Sequence, residues 1–276
     1  IQDVGVRFFT YLSTLRNAMI DCAASGKKLI VLDRPNPIGG EVVEGNILKD
    51  AFKSFVGCCN FPYRYGLTAG EAALLLNKEE AIGCDLQVVE CTGWKRSMLY
   101  PEWGKIWVAP SPALMNYESV LVYPGMCLLE GTNLSEGRGT SAPFRVMGAD
   151  FIDAEDLSEK LNNEKLPGVI TTPVWFIPST SKFEGTPCAG VVLHVTDAAS
   201  FRPVTFGITL LDRIRKDYGD KFKVLPPIEG KKAPMLALLS GDDALLGDWD
   251  KDALLQSYIT DSEAFAKKKQ EYHLYD

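Results

Sequence analysis

Residues 7–40 read RFFTYLSTLRNAMIDCAASGKKLIVLDRPNPIGG, and this stretch decides the fold class. Phe8, Tyr11/Leu12, Leu15, Ala18/Met19 and Cys22 recur at the spacing of one buried helix face, which predicts a helix over 7–25. Gly26 ends it, and Lys28–Leu32 follows as a short apolar strand. The sequence has no start methionine or signal peptide and reads as the middle of a longer protein, beginning just after a strand. Strand, helix, strand in that order makes a βαβ unit, hence a parallel sheet with helices on its faces. Two prolines and two glycines then forbid regular structure over Asp33–Gly40. Ligands of open α/β sheets bind at the carboxyl edge of the strands, so Asp33, Arg34 and Asn36 are site candidates. Asp33 and Asn36 fit turn capping equally well, and this segment alone leaves both roles open. Glu44, beside Gly45, is a further acid near that edge.

A second polar loop lies at 128–140, LLEGTNLSEGRGT. It places Glu130, Glu136, Arg138 and Asn133 among three glycines, with apolar runs over 120–123 and 126–129 leading in and an expected buried strand before the loop. Three glycines suit a tightly turned loop, and acids, an amide and a guanidinium held there suit a polar ligand. The spacing is not that of a phosphate-binding loop, since five residues separate Gly131 from Gly137 and no Lys-Ser/Thr follows. No GxGxxG dinucleotide fingerprint is present.

Between the two loops, Phe61–Thr68 flanks Arg64 with Tyr63 and Tyr65, and Thr68 with Glu71 forms a capping box for a helix over 69–77. Glu71 is therefore read as a cap. Arg64 is read either as a surface arginine or, with its tyrosines, as the wall of a sugar site. A strand is expected over 85–90. Tryptophans 94, 103 and 107 lie in irregular chain, where such residues usually pin a loop to the core. Beyond residue 140 the pattern changes: helices are expected over 153–162, 205–218 and 251–269, and paired strands over 169–177 and 190–195. His194 falls in an alternating apolar run and reads as a sheet-face residue.

Composition narrows the function. The 276 residues carry a net charge of −7, with 46% hydrophobic and 24% charged residues. That is a globular balance, and neither the charge nor any basic run favours nucleic acid as partner. No apolar run reaches the ~18–20 residues that span a bilayer. Seven cysteines without CxxC spacing read as buried thiols, and two histidines without HExxH give no metal site.

IQDVGVRFFTYLSTL, VLDRPNPIGG, SFVG, RYGLTAGE, YPGMCLLEGTNLSEGRGT, LPGV and HVTD occur here in the order of the NamZ family, and the chain resembles that family from Ile1 to Asp276. These are exo-β-N-acetylmuramidases, long catalogued as a domain of unknown function and frequent in Bacteroidetes. The resemblance implies a glycosidase that removes N-acetylmuramic acid from the non-reducing end of peptidoglycan fragments, that is MurNAc-GlcNAc and muropeptides. It implies no cofactor and a periplasmic or secreted location. It further implies a Rossmann-like domain (1–140, incomplete at its N-terminus) and a smaller C-terminal α/β domain (141–276), with the site in the cleft between them. Roughly a hundred residues would precede Ile1, including a Pro-Glu-His-Gly segment with a catalytic glutamate. Ala113 stands where the family tends to have asparagine, and Tyr65 where histidine is frequent.

Glycoside hydrolysis usually needs one carboxyl to protonate the leaving oxygen and another as base or nucleophile. The catalytic candidates are Glu130, Glu136 and Glu44. Glu130, beside Leu128-Leu129, is the better placed to hold a proton through burial, while Glu136 and Arg138 are close enough in sequence to pair. The muramic lactyl carboxylate asks for an arginine fork, for which Arg138, Arg64 and Arg34 are the choices. Asp3, Asp33, Asn36, Tyr65 and Asn133 complete the binding candidates. The alternative is a non-catalytic muropeptide- or sugar-binding protein on the same scaffold. A serine or cysteine hydrolase is disfavoured by the absence of a nucleophile elbow.

Overall fold

Helix α1 (Tyr11–Ala24) buries Leu12, Leu15 and Met19 along one face, as the apolar spacing requires. It leads into β1 (Lys28–Leu32), and α2 (Ala69–Glu79) leads into β2 (Asp85–Val89). The two strands pair in parallel, Lys28 opposite Asp85 through Leu32 opposite Val89. Val31 is buried with Leu12, Leu15, Leu75 and Leu76 in one core cluster, so α1 and α2 cover that face. The alternate residues Ile30 and Leu32 are 52% and 67% exposed, so among the described residues helices cover one face of this strand pair.

In this computed structural model residues 1–230 and 232–276 are described, and they form two compact units. The first comprises Ile1–Pro110 together with Gln256–Asp276, and the second Ser111–Leu255. The compositional change near residue 141 falls inside the second unit.

The second unit opens with α3 (Tyr117–Met126), capped by Asn116, whose side chain accepts from the Ser119 backbone N–H at 2.9 Å. A 3₁₀ turn over Cys127–Gly131 follows. This corrects the buried strand expected to lead into the loop. Every residue from Ser119 to Met126 is buried, so the segment shows no amphipathic period, and a wholly buried helix reads like a buried strand. Next come β3 (Val146–Ala149), α4 (Ala154–Asn163), β4 (Val169–Phe176), β5 (Cys188–Val195), α5 (Pro203–Tyr218) and α6 (Met235–Ser240). The strands make an antiparallel sheet in the order β3-β5-β4. The expected pairing of the two late strands is thus present, and His194 lies on it, its Nε2 2.8 Å from Thr172 Oγ1. Helix α7 (Lys251–Lys268) carries the chain back into the first unit.

All seven cysteines are free thiols, five of them buried. Among the described residues no helix is long and apolar enough to cross a membrane, and no cluster of metal-ligating side chains occurs.

Candidate functional site

In the second unit the 128–140 loop closes around ion pairs. Arg138 donates from Nη2 to Glu130 Oε1 at 2.7 Å, and its Nε lies 3.2 Å from Glu136 Oε1. The other face of Glu136 meets a cation that sequence reasoning missed: Lys182 Nζ lies 2.8 Å from Oε2. Lys182 also donates to the carbonyls of Leu129 (2.7 Å) and Thr132 (3.0 Å), tying the loop's first turn to its acid. Nothing in the Ser-Thr-Ser-Lys-Phe context of Lys182, far along the chain, signals that role.

The glycines set the loop's path. Gly137 and Gly139 have φ of 78° and 79°, a region L side chains avoid. A Cβ on Gly137 would lie 2.4 Å from the Val146 carbonyl oxygen, and one on Gly139 2.6 Å from the Thr180 nitrogen. The backbone therefore folds tightly enough to bring Glu136 to 3% side-chain exposure, while Glu130 keeps 26% and Arg138 38%. Phe144 adds a second constraint. It sits at φ 64°, strained for a bulky residue, donating its N–H to the Glu136 carbonyl at 2.7 Å. Its ring lies edge-on to Tyr123, with centroids 4.7 Å apart, and the Arg138 guanidinium is 5.1 Å from its centroid. Asn133 stands apart from this cluster: its side chain donates to the Lys221 carbonyl and accepts from the Lys223 N–H, both at 2.8 Å, pinning that segment.

The first unit holds the other candidates at the carboxyl edge of β1. Asp33 is buried and fully engaged. Its Oδ1 accepts from the N–H groups of Arg34 (2.9 Å) and Gly70 (2.8 Å), and its Oδ2 from Thr68 Oγ1 (2.6 Å) and Tyr275 OH (2.7 Å). Asn36 accepts from the Ile38 N–H at 3.1 Å and donates to the Leu67 carbonyl at 2.9 Å, an Asx turn that ties two loops together. Arg34 donates to Gln2 Oε1 at 2.6 Å.

Arg64 is not a surface arginine. It is 5% exposed, lies 3.2 Å from Glu44 Oε2, and donates to the Ile38 carbonyl. Its backbone exchanges two 3.0 Å hydrogen bonds with Glu44, which explains why the two side chains meet. Glu71 caps α2 as expected, and also pairs with Arg96 and accepts from the Leu274 N–H.

Asp3 and Tyr65 form the second buried pair. The Tyr65 phenol donates to Asp3 Oδ2, which also accepts from the Gly5 N–H at 2.7 Å. Oδ1 has no hydrogen-bond partner among the described residues. Burial pushes the Asp3 carboxyl up to about 6, outweighing the hydrogen bonds that favour its charge, with Asp33 nearby adding to the rise. Asp3 is therefore a carboxyl that keeps its proton toward neutral pH. Glu130 faces Arg138.

Two α/β units, each holding acids and arginines in buried or half-buried pairs, define a two-part family. Its two models, described as exo-β-N-acetylmuramidase NamZ, N-terminal and C-terminal, match residues 1–118 and 121–275. The chain belongs to this NamZ family. It is 40% identical, over its whole length, to the peptidoglycan β-N-acetylmuramidase NamZ of Bacillus subtilis (strain 168), and spans 66% of that relative. Two crystal structures of DUF1343 family proteins from Bacteroides fragilis resemble it over the entire chain. One has a TM-score of 0.91 at 34% identity, the other 0.77 at 29%, with 73% and 74% of those chains covered.

Proposed function

We propose that this chain belongs to a glycoside hydrolase that releases N-acetylmuramic acid from the non-reducing end of peptidoglycan fragments by carboxylate acid/base chemistry. The observation that carries the reading is the 40% identity across the whole chain to a peptidoglycan β-N-acetylmuramidase. The chemistry of the loop is compatible with it. Arg138 is the most exposed of the candidate cations in that cluster and offers a planar fork to the lactyl carboxylate of muramic acid. Glu130 is the accessible acid beside it, and Asp3 is an acid whose proton burial holds up to about pH 6. On this reading the protein works where peptidoglycan lies, in the periplasm or outside the cell.

A second reading, a muropeptide-binding protein, draws on one observation: both loop acids already face cations, Glu130 one and Glu136 two. The test uses the full-length protein and the disaccharide MurNAc-β-1,4-GlcNAc, with released MurNAc quantified for wild type, Glu130→Gln and Asp3→Asn. Release by wild type and its loss in a folded Glu130→Gln place an essential carboxylate in the loop. Loss in Asp3→Asn alone moves that role to Asp3. Binding without release by the wild type leaves the binding-protein reading in place of the enzyme.

A further inference from the structure

Strand β4 outruns the helix that covers it. Val169 and Thr171 are buried, and α4 is bonded to Thr171 by Ser158 Oγ (3.0 Å) and Asn162 Nδ2 (2.9 Å), both donating to its carbonyl. Two and four residues on, the same face continues through Pro173 to Trp175, because side chains in a strand alternate. Trp175 is 64% exposed, and Ile177 just beyond the strand is 60% exposed. They border a groove of about 580 Å³ completed by Pro187, Ala189 and Asp150. Single exposed apolar residues need no explanation, but an indole, an isoleucine and a proline around one concavity with a carboxylate do.

We propose that this groove is a glycan subsite that stacks a neutral N-acetylated pyranose, such as the GlcNAc unit of peptidoglycan, on the Trp175 indole. The inference rests on the peptidoglycan reading for its ligand class. A pyranose presents a flat C–H face ringed by hydroxyls, so it needs an apolar plate and an acceptor at the rim. Trp175 is the plate, and Asp150 is the acceptor for a hydroxyl or amide N–H. The volume lies within the ~300–1,000 Å³ of small-ligand sites. Among the described residues Asp150 is the one charged residue lining the groove, so a lactyl carboxylate would meet its own sign there. This favours the neutral sugar over muramic acid. The position is continuous with the loop cluster: from Ile177 the chain runs to Ser179, whose N–H and Oγ both donate to the Gly139 carbonyl at 2.9 Å, and on to Lys182.

The test is calorimetric titration of the full-length protein with chitotriose, a neutral GlcNAc oligomer, and with N-acetylmuramic acid. Wild type is expected to bind chitotriose. Trp175→Ala should weaken it by about tenfold or more, and Asp150→Asn by a few-fold, with the affinity for N-acetylmuramic acid, a ligand of the loop cluster, unchanged by either substitution. Both side chains are exposed, and unchanged circular dichroism checks the fold of each variant. Failure of wild type to bind chitotriose overturns the proposal. Equal affinity in a folded Trp175→Ala also overturns it, as does a change of molecular mass in light scattering with affinity unchanged, which would make the face a protein interface. MurNAc release is assayed separately, so failure of the muramidase reading and failure of this subsite give different results.

Discussion

Lys182 Nζ lies 2.8 Å from Glu136 Oε2, so a buried acid is held between this lysine and Arg138. Lys182→Met removes one of the two cations and takes the lysine donor from the Thr132 carbonyl, while the Leu129 carbonyl keeps the Thr132 N–H and hydroxyl. The expected loss is about 2–3 kcal/mol, read as a lower urea midpoint. An unchanged midpoint would mean that the lysine is ornamental to the loop.

The Asp3 carboxyl gives a pH signature. Burial raises it from 3.8 to about 6, so between those values the unfolded chain ionises while the folded one keeps its proton. Stability from this group is complete below about pH 4, falls as pH rises, and is gone above about pH 6, a swing of about 3 kcal/mol. Urea midpoints at pH 4, 5, 6 and 7 should show a fall in wild type that Asp3→Asn flattens. Parallel curves for the two proteins would refute the assignment.

Glu71 is fully buried and serves three partners at once: the Thr68 N–H, the Arg96 guanidinium and the Leu274 N–H. Glu71→Ala strands a buried arginine and is expected to cost about 3–5 kcal/mol. Glu71→Gln, which retains acceptors, should cost less. The order of the two denaturation midpoints is the check.

Gly125 of α3 touches α5 so closely that a Cβ would fall 1.9 Å from the Pro203 carbonyl oxygen. Gly104, by contrast, has φ 71° and open space around its absent side chain. Gly125→Ala is expected to cost about 3 kcal/mol or more by forcing two backbones apart, and Gly104→Ala about 1–2 kcal/mol from backbone strain alone. Thermal melts of the two variants measure the difference.

The fold showed in the sequence wherever burial was one-sided. Leu12, Leu15 and Met19 mark α1 because the opposite face of that helix is polar, and Thr68 with Glu71 marks the start of α2 through a local hydrogen-bond exchange. Where burial is complete the signal vanishes: Val120–Met126 has no polar face, and such a helix carries the same apolar run as a buried strand. The site divides similarly. Glu130, Glu136 and Arg138 meet because glycines fold one short segment on itself, a local property that sequence displays. Lys182 reaches Glu136, and Tyr275 reaches Asp33, across long stretches of chain, and no local pattern announces either contact.

Residues 256–276 belong to the first unit, although the whole second unit precedes them in the chain. Lys269 donates to the carbonyls of Gly40 and Gly66, Leu274 to Glu71 and Tyr275 to Asp33, while the Asp276 carbonyl accepts from the Arg96 N–H. The second unit is thus an insertion within the first. Asp33, Glu71 and Arg96 are therefore synthesised long before the residues that bond to them. A nick or deletion after Leu255 would then be felt most at the carboxyl edge of β1, more than two hundred residues upstream of the cut.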